Sequence, residues 1–90
     1  MTTKVEHAYI ERALGVQGGR PVIKGTRTPV KGIVIYHRMG ATPEEILIKL
    51  PHLNLAQIYD ALSYYYDSKD KIDNDIDADS EERIKQEFAQ

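Results

Sequence analysis

Apolar residues recur at helical spacing through the second half of the chain. In the first half they fall in short runs broken by glycine and proline. Leu55, Ile58, Leu62 and Tyr65 lie three or four residues apart, so they share one stripe of a helix that begins at Asn54. Asn54-Leu55-Ala56-Gln57 supplies that start, with a polar cap and a glutamine three residues on. Thr42-Pro43-Glu44-Glu45 repeats the device, with a capping hydroxyl, a proline at the first helical position and a glutamate at the third. It predicts a helix over 43–50 with Ile46, Leu47 and Leu50 inward, ended by Pro51. Residues 30–39 are ambiguous, because Ile33-Val34-Ile35-Tyr36 favours a strand locally. Pro29 before them and Gly40 after them are a helix start and a helix C′ position, and the reading is helix. Tyr9 to Leu14 reads as a short strand or irregular arm closed by Gly15. Val22 to Lys24 reads as a second strand turning at Gly25.

After Asp67 the character changes. Ser68 to Asp77 is polar and charged and reads as a linker. Asp73, Asp75, Asp77 and Asp79 alternate as in a calcium loop, but Ala78 stands where glycine is required and Ile84 where the bidentate glutamate belongs. The calcium reading fails. Asp79 with Glu82 then caps a last helix through Phe88, with Ile84 and Phe88 one turn apart. So short a helix needs something to pack on. It docks on its own domain or, with Arg83, Ile84 and Phe88, in a groove on a partner. The division expected is 1–68 as a helical domain with an N-terminal β arm, and 69–90 as an acidic linker and C-terminal helix. Three tyrosines, Tyr64-Tyr65-Tyr66, end the long helix. Successive residues are about 100° apart, so at least one is exposed or in an interface. Tyr64 and Tyr66 are candidate partner contacts.

Ninety residues make one small domain, and burial against a second copy would help it, so a homodimer is expected. There is no cysteine, which excludes a disulfide framework and fits a reducing, cytoplasmic setting. No N-terminal apolar stretch resembles a secretion signal, and the longest apolar run, Ile33 to Tyr36, is far too short to span a bilayer. The net charge of −2 conceals an asymmetry: residues 1–66 carry +3 and residues 67–90 carry −5. A basic body with an acidic tail raises the question of a polyanion on one half and a protein on the other. His7, His37 and His52 are scattered without metal-ligand spacing, and Glu44-Glu45 is explained by capping. Neither catalysis nor a metal or other cofactor is expected.

The most specific segment is Gly18 to Val30, G-G-R-P-V-I-K-G-T-R-T-P-V. Arg20, Lys24, Arg27 and Lys31 form a cationic footprint suited to phosphates, to which Thr26 adds a hydroxyl. Arg27 has a structural alternative, as a guanidinium locking the turn onto helix carbonyls. Gly25 and Thr26 also fit pure turn chemistry. The helix at 43–50, the turn at 51–53 and the helix from 54 have the dimensions of a helix-turn-helix unit. Asn54 and Gln57 would then face bases, where both side chains can pair with adenine. That helix holds no Lys or Arg before position 69, so a helix pair that only packs is the alternative.

Gly18 to Val30, followed by Gly40-Ala41-Thr42-Pro43-Glu44-Glu45-Ile46-Leu47 and Leu50-Pro51-His52-Leu53, resembles domain-of-unknown-function family 433. That family groups with VapB-type antitoxins of bacterial toxin–antitoxin pairs. Its usual pattern is G-G-x-P-V-I-x-G-T-R-I-P-V, from which Thr28 departs by replacing an apolar residue. The resemblance covers roughly residues 8–66. It implies a mainly α fold, a homeodomain-like trihelical bundle with a small N-terminal β element, usually dimeric. It further implies a PIN-like ribonuclease toxin as partner and promoter DNA as regulatory target. The function expected is therefore an antitoxin-like repressor; the competing expectation is a dimeric protein-interaction module that never touches DNA.

Overall fold

The computed structural model describes residues 7–12, 15 and 17–88, and among these the side chains of all but residues 17 and 79–88. In chain order the elements are β1 (Ile10–Glu11), a single 3-10 turn (Gln17–Gly19), β2 (Val22–Ile23), α1 (Val30–Arg38), α2 (Pro43–Lys49), α3 (Leu55–Asp67) and α4 (Lys69–Phe88). The described chain is thus mainly helical, with four helices and a two-stranded antiparallel sheet. Of the arm expected over 9–14, only Ile10 and Glu11 form a strand; Ala13 and Leu14 lie outside the described residues.

The ambiguous segment is α1. Val30, Ile33 and Val34 lie on one helical face and are fully buried, so tertiary burial overrides the local strand preference of the β-branched run. Gly40 ends the turn beyond it at φ +96°, a conformation that L side chains rarely adopt. Both capping boxes form. Thr42 accepts the amide of Glu45 at 3.2 Å while the Glu45 carboxylate accepts that of Thr42 at 3.0 Å. The backbone amide there holds the Glu45 carboxyl below the usual carboxylate range. Asn54 and Gln57 exchange the equivalent bonds at 2.9 and 2.8 Å.

The three helices α1, α2 and α3 close on one core. Ile33, Ile46 and Ile58, one from each helix, have no exposed surface, and Ala61, Leu62 and Tyr65 extend the α3 contribution. Each buried isoleucine contributes about 1.5–3 kcal/mol of transfer free energy. Two β strands cover an edge, paired Ile10 to Ile23 and Glu11 to Val22, and Ile23 joins the same core.

The linker expected over 68–77 is replaced by helix. Residues 69–77 form the first half of α4, which continues through the helix expected from 79. Polarity alone predicts a linker there, but two apolar residues suffice to anchor the helix. Ile72 and Ile76 stand one turn apart on a single stripe, with Ile72 buried in the core and Ile76 packed against it.

Candidate nucleic-acid interface

The cationic segment is braced from within. The amide of Ile23 donates to the Thr28 carbonyl at 2.9 Å, that of Val30 to Pro21 at 2.9 Å and that of Thr26 to Ile23 at 3.0 Å. Gly25 turns the chain at φ +79° with open space where a Cβ would stand; backbone conformation, not crowding, calls for glycine there. The Thr26 hydroxyl donates to the Ile23 carbonyl at 2.9 Å and accepts the Thr28 amide at 3.0 Å, so it braces the turn from inside. Thr28, the departure from the family pattern, places its hydroxyl 2.6 Å from His52 Nε2 and so joins the arm to the α2–α3 turn. Lys24 and Arg27 are exposed at the tip, while Arg20 and Lys31 stand at the base.

That base faces α4. Asp75 lies 3.2 Å from the Arg20 guanidinium and 3.9 Å from the Lys31 ammonium. Across the Ile72–Ile76 stripe, Asp73 and Asp77 meet Arg38, at the end of α1, at 3.7 and 3.5 Å. Asp73 also accepts the Tyr65 hydroxyl at 2.8 Å and the Lys69 ammonium at 2.9 Å. The Lys69 bond, then the Tyr65 bond, holds its carboxyl below the ordinary aspartate value. Burial, followed by the bond to Asp73, pushes the Tyr65 hydroxyl up. Beside Asp75, the cations Arg12, Arg20, Lys31 and Lys71 share the lining of a cleft of about 180 Å³ with Pro21 and Ile72. Chemically this edge holds rows of anionic groups, and here the row belongs to the chain itself.

On α3 the anticipated readers are engaged otherwise. Asn54 and Gln57 direct their side-chain oxygens at one another's amides. The exposed positions along the helix include Ala56, Tyr59, Ser63 and Tyr66. Of the tyrosine triplet, Tyr65 enters the core and Tyr66 is 58% exposed with its hydroxyl 2.6 Å from His37. Tyr64 packs edge-on against the His7 ring at 5.2 Å. Arg83, Ile84 and Phe88 are on α4, but their side chains lie outside the described residues.

His7 is the residue sequence reasoning passed over. Its Nδ1 lies 3.0 Å from Asp60 and its Nε2 2.8 Å from Asp67, and Asp60 also accepts the Tyr9 amide at 2.8 Å. Both ring nitrogens donate only in the imidazolium, so the geometry favours the charged form. Burial opposes that charge, yet the bonds to Asp60 and Asp67 outweigh it and raise the His7 pKa. Nothing local marks this clasp, because its partners are 53 and 60 residues away.

A family model described as "Protein of unknown function (DUF433)" matches residues 10–65. The chain is also similar to a solved structure, a DUF433 member protein from Anabaena variabilis ATCC 29413, with 35% sequence identity and a TM-score of 0.70. The likeness covers 76% of this chain and 67% of that one. No curated protein matches the chain.

Proposed function

The chain belongs to the DUF433 family, and from that premise we propose that it is an antitoxin-like binding protein rather than an enzyme. In this reading it represses its own operon and neutralises a PIN-like ribonuclease toxin. The trihelical body, read as homeodomain-like, lies on promoter DNA, and the acidic C-terminal helix engages the toxin. One observation carries the reading: a braced cationic edge whose Arg20, Lys31 and Arg38 already hold the carboxylates of α4. Duplex phosphates present the same chemistry in a similar row. Tail and duplex then compete for Arg20 and Lys31, and a toxin that takes the tail favours DNA binding.

Affinity comes from backbone contacts by Arg20, Lys24, Arg27 and Lys31. Asn54 and Gln57 read bases only by giving up their caps, so base discrimination through them is small. The test is a mobility-shift titration against the chain's own upstream sequence. Four phosphate contacts give a log–log salt slope of about −3.6. Changing Arg20→Ala with Lys24→Ala makes that slope about 2 shallower. No shift at low salt refutes the DNA half. Capture of a neighbouring nuclease that survives both changes and is lost on deleting 78–90 supports the antitoxin half. Exposed Ile48 (76%) and Tyr59 (52%) favour the second reading, a protein-interaction module, if no duplex binds.

A further inference from the structure

We infer that α4 is exchangeable between two copies of this chain, which then associate by swapping it. The inference does not rest on DNA or toxin binding. The first observation is the joint. Ser68 alone separates α3 from α4, at φ −130° and ψ 36°. Its amide already donates to the Tyr64 carbonyl at 3.0 Å, and its carbonyl accepts the Ile72 amide at 3.1 Å, both at helical spacing. The amides of Lys69, Asp70 and Lys71 open α4 and have no acceptor within it. If Ser68 turns helical, they meet the carbonyls of Tyr65, Tyr66 and Asp67. Residues 55 to 88 then form one helix about 50 Å long, which carries Ile72 and Ile76 off their own body.

The second observation is the fit between α4 and the face it leaves. On α4 an apolar stripe of Ile72 and Ile76 runs between Asp73 and Asp77 on one side and Asp75 on the other. On the body Ile35 stands between Arg38 at one end and Lys31 with Arg20 at the other. Straightening Ser68 uncovers that face in each of two copies and supplies each with the other's α4. The contacts are the same as within one chain, so the exchange closes a twofold dimer with no new interface chemistry. A one-residue hinge that must bend back on itself favours such exchange over a long one.

Two variants decide the matter. One carries Arg20→Glu with Arg38→Glu; the other carries Asp73→Lys, Asp75→Lys and Asp77→Lys. Each opposes its own α4, while a swapped pair of the two restores opposite charges at both docking faces. Light scattering after equimolar mixing is expected to give a heterodimer of twice the 10.2 kDa chain mass, absent from either variant alone. Monomers after mixing, or dimers that each variant forms by itself, overturn the exchange. Since charge reversal can impair folding, a second pair keeps the native charges. Ile35→Cys and Ile76→Cys, in separate chains of a protein with no cysteine of its own, are mixed and treated with a short bis-maleimide. Ile35 and Ile76 line one cleft, so a covalent heterodimer supports the exchange and its absence sinks it.

Discussion

The two ends of the described chain are fastened by mirror-image electrostatics, the first to α3 and the second to α1 and the base of the arm. At the N-terminus one cation, His7, enters between two carboxylates of α3, Asp60 and Asp67. At the C-terminus three carboxylates of α4 reach out to Arg20, Lys31 and Arg38 on the body. In the first clasp the His7 ring, only 9% exposed, is held between Asp60 and Asp67, and the clasp rests on the ring's proton. The second is divided among half-buried and exposed side chains, from Lys31 at 17% to Asp77 at 63%. One clasp converges on a single ring, whereas the other is spread over several separate ion pairs. The difference suits an N-terminal arm that stays and a C-terminal helix that lets go.

The comparison is most easily broken at Ile72. Changing Ile72→Ala removes the one buried apolar anchor among the described side chains of α4 and is expected to lower unfolding stability by about 2 kcal/mol, read from urea midpoints. A loss no greater than that of an exposed ion pair would mean α4 is held by charge alone. His7→Ala comes next, at about 1–2 kcal/mol, with a distinctive pH signature. Because the folded-state pKa of His7 is raised above 6.5, its contribution is complete below that value and lost as pH rises through the folded pKa. The gap between wild type and His7→Ala should therefore be widest below pH 6.5 and narrow as pH rises through the folded-state pKa. A gap constant with pH would refute the imidazolium clasp.

The α4 side behaves in the opposite sense. The Asp73 pKa is depressed below 3.8, so its contribution is present above that value and disappears only as pH falls through the folded pKa. Over the range in which the His7 clasp is lost, the Asp73 contacts should not change, as NMR shifts of the neighbouring Ile72 methyls would report. Asn54→Ala is a control fastened to neither end. It should lose about 1 kcal/mol through the lost cap, with the preference among duplex sequences unchanged; a changed preference would make Asn54 a reader of bases. The smallest effect on stability is expected from Asp75→Asn, under about 0.5 kcal/mol for a partly exposed carboxylate whose Arg20 partner is 43% exposed. The same change should tighten duplex binding by removing a carboxylate that Arg20 and Lys31 share. Unaltered affinity in a protein that does bind DNA would show that tail and duplex use different cations.

Local signals were legible wherever both partners sit within one turn. Thr42 with Glu45 and Asn54 with Gln57 announce their helices from three residues apart, and both boxes form as read. The stripe through Ile58, Leu62 and Tyr65 reaches the core for the same reason. The first half of α4 also carries a signal, since Ile72 and Ile76 are one turn apart and flanked by acids. Mean polarity concealed it: two apolar residues in an acidic run weigh little until a cationic face receives the rest. The arm's cations were visible as charges, but their facing Asp75 was not.

What the sequence determined by itself is every feature set by neighbours along the chain: caps, turn glycines, helical stripes and the split between a basic body and an acidic tail. Tertiary structure alone decided that His7 would sit between Asp60 and Asp67, and that α4 would lie across Arg20, Lys31 and Arg38. These depend on groups dozens of residues apart, and no local propensity encodes such proximity. Only packing of the core brings them within the few ångströms over which burial and charge take effect.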